Sequence, residues 1–526
     1  MNKTAILKTA IAVAITSTAY ADWKQWGRDN SKNMVSPVTG LPAEMDAGEG
    51  KTLEEITASA KGLKWVAKLG SQTYGTPTIG EGKVLVGTNN EEPRNPGIIG
   101  DRGVIMCFDE ATGGYLWQLT TPKLGAGKVS DWEFLGMCSS PLIDDGKGYV
   151  VTNRGEVLCF DMNGLADGNA GPFTEEAEYA AKGLDGKANV ALVEQGENDA
   201  DIIWGFDLRS ELGVFPHNVT SSSVATDGKH IFASTSNGVD WSHINIPAPL
   251  SPCLVALDKE TGELVGEEGS GIGQRVMHCN WGSPGYVEHK DKKMVLFGAG
   301  DGFVYGFKPE TVKDEEGFDI LPEVFRYDGN KKEYRVNDSG EKVKYATYPG
   351  PSEFIATPVY HNGKIYAAIG QDPEHGEGVG LLSCISADAE GEVANPSGAI
   401  WTYDGIKRTI STPSVTDDGL LFIADYSGVL HCLDANTGEL YWVHDTLSHI
   451  WGSSLVADGK VYLGNEDGEL IVIKASKDAD ADGDGKVKSK EVLMTVDFPA
   501  PIYSSPVAAN GVLYVTTQTH LYAFGE

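Results

Sequence analysis

Apolar and polar residues alternate with a period of two over short runs through most of the chain, and Asp-Gly or Asn-Gly steps separate the runs. Such alternation marks half-buried strands, and Asp-Gly or Asn-Gly between two of them marks a tight hairpin. One unit recurs: a small-small-Pro step, a short apolar run, the hairpin turn, then a β-rich run. It reads GTPTIGEGKVLVGT from Gly75, SSPLIDDGKGYVVT from Ser139, ATPVYHNGKIYAAIG from Ala356, STPSVTDDGLLFIAD from Ser411 and SSPVAANGVLYVTT from Ser504. A looser copy starts at Gly282, and in copies from Ser221 and Ser453 the proline is replaced by Ser223 and Leu455. The copies number eight and lie 42 to 82 residues apart. The shortest spacing suits four strands with tight turns, ~40–45 residues per propeller blade.

Each copy continues into a third strand, a turn of the ANTG type and a fourth strand carrying Trp, as in SGVLHCLDANTGELYWVHD ending at Asp445. The last copy stops at its third strand, LYAF, while GLKWVAKLG around Trp65 is a fourth strand without the first three. Pairing these two orphans closes a ring and removes an open seam. The pattern therefore predicts an all-β chain: an eight-bladed propeller of four-stranded blades over residues 63–526, closed by an N-terminal strand and preceded by a lead-in at 22–62. Insertions are expected at about 162–203 and 309–350. In the first, Thr174 is placed to cap a short helix running to about Ala181. The second is densely charged and reads as a solvated hairpin.

Lys3 and Lys8, the apolar stretch through about Ile15 and the small residues Ala19 and Ala21 predict a signal peptide at 1–21, cleaved after Ala21. A periplasmic or secreted protein is expected. No later run approaches 18 apolar residues, so no membrane span is expected. Lys+Arg total 42 against 75 Asp+Glu, a net charge of −33. That charge argues against nucleic acid or an anionic membrane as partner, since both require a basic face. It suits a chain kept apart by self-repulsion, and a monomer is expected.

Candidate chemistry lies where each copy enters its first strand, near the central channel of a propeller. These segments hold Gln72 and Tyr74, Glu133, His217 and Asn218, then His278, Asn280 and Trp281, and finally Glu353, Arg408, His449, Trp451 and Tyr503. Polar groups converging between aromatic walls suit an unknown small molecule. The alternative is that they plug the channel and bond to one another. The seven cysteines read mostly as small buried residues of the third strands. Cys138 and Cys279, ahead of their first strands, are the ones open to pairing or reactivity.

The loop between the last two strands of the seventh copy, KDADADGDGKVKSKEVL, carries Asp480, Asp482, Asp484, Gly485 and Glu491 at positions 1, 3, 5, 6 and 12 of a 480–491 stretch. Three carboxylates at alternate positions, a glycine for the sharp turn, the Lys486 carbonyl and a closing glutamate are the ligand pattern of an EF-hand-like calcium loop. The following strand leaves no room for a second helix, so a structural calcium site is expected. Asp161, Asn163, Asp167 and Asn169 offer a second set of oxygens, or equally a run of Asx turns.

The small-small-Pro start, the D-x-x-T-G-E-L-x-W hairpin, the eightfold count and the lead-in WKQWGRDNSKNMVS at Trp23 together resemble the pyrroloquinoline-quinone-type propeller repeat. The resemblance covers nearly the whole chain after residue 21. It implies the propeller fold and an exported protein. It extends to two kinds of function: quinone-dependent dehydrogenases, and scaffolds that assist envelope assembly. The dehydrogenases hold pyrroloquinoline quinone in the funnel with Ca²⁺, a stacking Trp, a catalytic Asp, an Arg and often a disulfide between adjacent cysteines. Here no two cysteines are adjacent and no C-x-x-C-H occurs. No catalytic residue carries over by motif. The reading at this stage is an exported, quinoprotein-like propeller that binds a ligand or protein partner at its funnel and loops.

Overall fold

The computed structural model describes residues 21–182, 192–376 and 378–525; all but the last residue of the expected signal peptide lies outside them. Eight antiparallel sheets form the blades of a propeller, each beginning with its innermost strand. Blade 1 comprises Thr78–Gly80, Lys83–Asn89, Gly103–Asp109 and Tyr115–Thr121. The same meander recurs through blade 7, whose outer strand is Met494–Asp497. Blade 8 takes three strands from the C-terminal end and its fourth, Leu63–Lys68, from the N-terminal side, with Trp65 opposite Ala523 and Val66 opposite Tyr522.

Two sets of contacts stitch neighbouring blades, and they explain the repeat. The hydroxyl residue of the small-small-Pro step accepts a backbone N–H from the neighbouring blade. Ser140 donates to Ser223 Oγ, Ser223 to Ser283 Oγ, Thr357 to Thr412 Oγ1, Thr412 to Ser453 Oγ, Ser453 to Ser505 Oγ and Ser505 to Thr76 Oγ1, all at 2.8–3.1 Å. A larger or apolar side chain there would leave a buried N–H unpaired. At the periphery the outer-strand Trp donates its indole N–H to the third-to-fourth-strand turn of the next blade: Trp65 to Glu110 O, Trp117 to Met162 O, Trp204 to Lys259 O, Trp401 to Ala435 O and Trp442 to Ser476 O. The ring packs flat on that turn. A Cβ on Gly113 would fall 2.5 Å from Trp65, and one on Gly262 2.4 Å from Trp204. Hence the glycine of the ANTG-type turn. Opposite the Trp only a small residue fits, and it is Cys107, Cys159, Cys384 and Cys432 in four blades and Ala523 in blade 8.

The strand register corrects two positions of the sequence alignment. Ala225 opposes Phe232 and Leu455 opposes Tyr462, as Leu142 opposes Tyr149. Val224 and Ser454, not Ser223 and Leu455, therefore occupy the proline position. Ser223 is instead the stitching hydroxyl. The opposed residues lie seven apart in all three blades, and in the two copies without a proline only this pairing marks where the first strand starts.

The lead-in crosses the channel and meets every blade at one equivalent position of its innermost strand. Trp23 pairs with Ile79 in both directions, and Lys24 O accepts from Ile143. Asn30 Nδ2 donates to Thr226 O, and Asn30 O accepts from Tyr286. Ser31 O accepts from Tyr360, and Asn33 makes two bonds to the backbone of Val415. Met34 O and Ser36 N–H engage Val456, and Ser36 Oγ donates to Ala508 O. Lys32 is fully buried beside these residues, its ammonium on Gln25 Oε1 (2.7 Å) and Val224 O (3.1 Å).

The insertions depart from expectation. The helix of the first insertion spans Glu176–Ala181 with Glu175 at its N-cap, without a cap from Thr174. The second insertion is not simply solvated. Its strand Asp319–Leu321 adds in parallel to the outer strand of blade 3, burying Leu321 on that edge, and its Tyr345 turns inward to Glu353.

Asn33→Ala should lower stability by about 2–4 kcal/mol, because the Val415 N–H and C=O both lose their partner inside the channel; a urea midpoint shifted down at unchanged slope is the check. A second expectation concerns Lys32, whose ammonium burial pulls down from 10.5 to about 7 against the charge of Asp29. Between about pH 7 and 10 the unfolded chain holds a proton that the folded chain has released, so this group makes stability rise with pH. The stability difference between wild type and Lys32→Met should change across that window by at most about 1.4 kcal/mol per pH unit, read from urea melts at pH 7.5 and 9.5.

Candidate functional site

Beyond the lead-in the channel opens into a cavity of about 500 Å³. Trp26 forms its inner end, with the indole N–H on Thr357 Oγ1 at 3.1 Å. The ring of stitching hydroxyls, among them Thr76, Ser140, Ser283 and Thr412, lines the next level. Above it stand Tyr74, Tyr503, Trp451, Trp281 and Trp132, with the carboxylates of Glu133, Asp372 and Glu374. Tyr74 and Tyr503 stack at 4.8 Å, and Trp451 meets both edge-on at 6.0 and 5.6 Å. No Lys or Arg is among the described residues that line it.

The segments entering the first strands thus do converge, but in two layers. Glu133, Asn218, Trp281, Trp451 and Tyr503 line the cavity, as do Gln72 and Tyr74. Asn280 does not. Fully buried, it donates to Asn237 O and accepts from the Gly300 N–H. Glu353 is likewise buried behind the wall, where it accepts from the Cys279 N–H and the Tyr345 hydroxyl, and desolvation holds its carboxyl well above the ordinary range. Arg408 lies at the rim and spends its guanidinium on the carbonyls of Asp372 and Pro373 and on the Tyr426 ring, 5.0 Å away. His449 stacks on the other side of that rim, 4.4 Å from Tyr426. His217 and His278, both fully buried, belong to a histidine cluster behind Trp281.

Several residues that matter went unread in the sequence. Asp372 and Glu374 come from the loop between the second and third strands of blade 5, a loop type not suspected of reaching the channel. Burial opposes ionisation of Asp372, but His375, the nearby His278 ring and the Glu374 N–H outweigh it and hold the carboxyl below its ordinary range. Trp26 and Trp132 were also missed. The W-x-x-W spacing of Trp23 and Trp26 in a polar segment was the available signal.

All seven cysteines are free, Cys138 and Cys279 included. Burial pushes the Cys138 thiol up to about 12 and Cys279 well above its ordinary value, which makes both poor nucleophiles. Asp161 accepts from the Asn163 N–H, and Asn163 Nδ2 donates to Asp167, an Asx-turn arrangement; Asn169 turns to Glu176. In the 480–491 loop, oxygens of Asp480, Asp482 and Glu491 lie within 4.8 Å of one another. Val487 is buried behind them, and Gly485 takes φ +80°. Lys488 sits between Asp482 and Asp484, at 2.5 and 2.9 Å.

Eight blades with these stitches, arranged around a lead-in of this form, decide the repeat type. The chain is a propeller of pyrroloquinoline-quinone-type repeats. A family described as outer membrane protein assembly factor BamB matches residues 389–482, from the end of blade 5 into blade 7. A 1-butanol dehydrogenase (cytochrome c) of Thauera butanivorans is 25% identical over 163 residues, 28% of this chain and 23% of that protein. The chain thus spans under a quarter of that relative's length. Among solved structures, a europium-containing methanol dehydrogenase superposes with a TM-score of 0.58 at 11% identity, covering 96% of this chain and 98% of the other. A quinohemoprotein alcohol dehydrogenase of Pseudomonas putida HK5 gives 0.53 at 12%, covering 96% and 80%. BamB of Moraxella catarrhalis gives 0.51 at 12%, covering 88% and 99%. At these identities the likeness is one of fold. No helix among the described residues is long and apolar enough to cross a membrane.

Proposed function

We propose that this propeller is an exported binding protein whose funnel takes a small organic cation. The observation that carries the reading is the lining: six aromatic rings and three carboxylates around about 500 Å³, with no basic side chain. Aromatic faces attract a cation through the ring quadrupole, more strongly once water is excluded. Carboxylates at the mouth and a net charge of −33 concentrate cations there. The volume lies in the range of small-molecule sites.

The quinone associated with this fold is a planar polycarboxylate, which needs cationic partners. Acidic residues, Glu133, Asp372 and Glu374, line the cavity instead, and Arg408 is already engaged. The residues present do not fit it. Choline should quench the funnel tryptophans saturably, and Trp451→Ala should weaken its binding threefold to thirtyfold, the loss of about 0.5–2 kcal/mol from one ring. Pyrroloquinoline quinone with Ca²⁺ should give no dye reduction with simple alcohols or aldose sugars. Dye reduction abolished by Trp281→Ala or Arg408→Ala would replace this reading with a quinone-dependent oxidoreductase.

We also propose that the 480–491 loop holds a structural Ca²⁺ at the periphery of blade 7. Asp480, Asp482 and Glu491 already converge, and Asp484 and the Lys486 carbonyl, at loop positions 5 and 7, would complete the set. Lys488 acts as the counter-ion that calcium would displace. A Kd of about 10⁻⁴–10⁻³ M is expected for a site of this kind. Calorimetry should show Ca²⁺ binding lost in the double variant Asp480→Ala, Glu491→Ala, and tightened in Lys488→Met; binding unchanged by either variant would refute the site.

A further inference from the structure

Behind the Trp281 wall of the funnel, three histidines meet from separate segments of blades 3 and 4. His217 precedes the first strand of blade 3, His243 lies on the loop between that blade's second and third strands, and His278 precedes blade 4. Their ring centroids are 4.5, 5.0 and 5.1 Å apart, and one ligand atom from each lies within 4.8 Å of the other two. His217 and His278 are fully buried.

The hydrogen bonding around the three rings is incomplete in a specific way. His217 Nδ1 sits 2.6 Å from the carbonyl of Val239, so Nδ1 carries the proton and Nε2 a lone pair. Among the described residues that Nε2 has no partner, nor has His243 Nε2, nor either ring nitrogen of His278. His278 Nδ1 faces Glu353 Oε1 and Asp372 Oδ2, each 3.7 Å away, which leaves Nε2 as its free lone pair. Buried polar atoms are ordinarily paired, and a group of unpaired ones marks a missing ligand. A backbone carbonyl behind one imidazole and carboxylates behind another are the outer partners that orient metal-binding histidines. Desolvation pulls His217 to about 3 and His278 to about 4, so both are neutral at physiological pH, as ligands must be.

We propose that His217, His243 and His278 bind one divalent first-row transition metal ion of borderline softness, in the class of Zn²⁺ and Cu²⁺. Three imidazoles select this class over Ca²⁺ or Mg²⁺, which take oxygen ligands. A three-histidine set leaves a further coordination position open. His375, stacked on His243 at 4.5 Å and paired with Asp372 at 3.4 Å, closes the far side of the cluster. Asp372 also lines the funnel, so one carboxylate separates the metal from the cavity.

The test uses the full exported chain without a histidine tag, stripped with a chelator and titrated with Co²⁺, then Zn²⁺ and Cu²⁺. One equivalent of Co²⁺ should give a visible d–d band, and Zn²⁺ should raise the melting temperature. His243→Asn is the mild variant, because residue 243 sits at φ +55°, where Asn is tolerated. It should lose the band and weaken Zn²⁺ binding at least tenfold, whereas Asp480→Ala in the calcium loop should leave both unchanged. The wild type gives a readout that depends on no variant: Cu²⁺ bound here should show nitrogen superhyperfine splitting in its electron paramagnetic resonance spectrum. Absence of a stoichiometric Co²⁺ band, a Cu²⁺ spectrum without nitrogen ligands, or a folded His243→Asn that binds as well as wild type would each overturn the proposal.

Discussion

The innermost edges of the blades impose the constraint on which the rest of the molecule depends. Eight first strands face a common channel, and each turns one side of its backbone toward the axis. Unpaired N–H and C=O groups at such edges are costly when buried and sticky when exposed. The lead-in answers all eight at once, meeting one residue per blade at the same register position between Ile79 and Ala508. Because it blocks the channel at that level, it also decides that the channel is a blind cavity with Trp26 at its end rather than a pore. The burial of Lys32 follows from the same threading, since fourteen residues crossing eight sheets cannot all turn their polar groups outward.

With the axis closed, the blades need only be held side by side. They are held by an inner ring of Ser and Thr hydroxyls and an outer ring of Trp indoles on neighbouring turns. These rings explain why the repeat is conspicuous in sequence although the spacings range from 42 to 82 residues. Insertions fall between the stitching points and leave them untouched. The strand Asp319–Leu321 extends blade 3 outward from its fourth strand, Leu264–Glu268, which carries no Trp, so the added edge interferes with neither ring.

The propeller was therefore legible because one physical solution is written eight times. Reading failed where a single position had to be placed without its neighbours: Ser223 and Leu455 were misassigned by one residue because neither copy has a proline to mark the start of its first strand. The site was legible only in part, for a related reason. Segments entering the first strands could be named from the repeat, but not which way each side chain turns. Trp451 and Tyr503 face the cavity, whereas Asn280 and Glu353 turn into the layer behind it. Asp372, His243 and His375 come from loops without a repeat to index them, and they approach His278 only after three blades have folded. No spacing along the chain encodes such a meeting.

The two stitching rings and the lead-in also separate stability from chemistry. The residues of the two stitching rings bond to backbone, so their identity is set by geometry and not by any ligand. The side chains above the hydroxyl ring carry almost none of that load. Tyr74, Tyr503 and Trp451 pack chiefly on one another, and Trp281 spends one hydrogen bond on Val219 O. A fold arranged this way can exchange a cation-binding funnel for an anion-binding one without renegotiating its closure. The histidine cluster is the exception. His217, His278 and Asn280 lie within the packed layer between blades 3 and 4, where unpaired nitrogens add nothing to the joint. A joint built for stability alone would place apolar side chains there. Ring nitrogens without partners at such a place are what the proposed metal ion would account for.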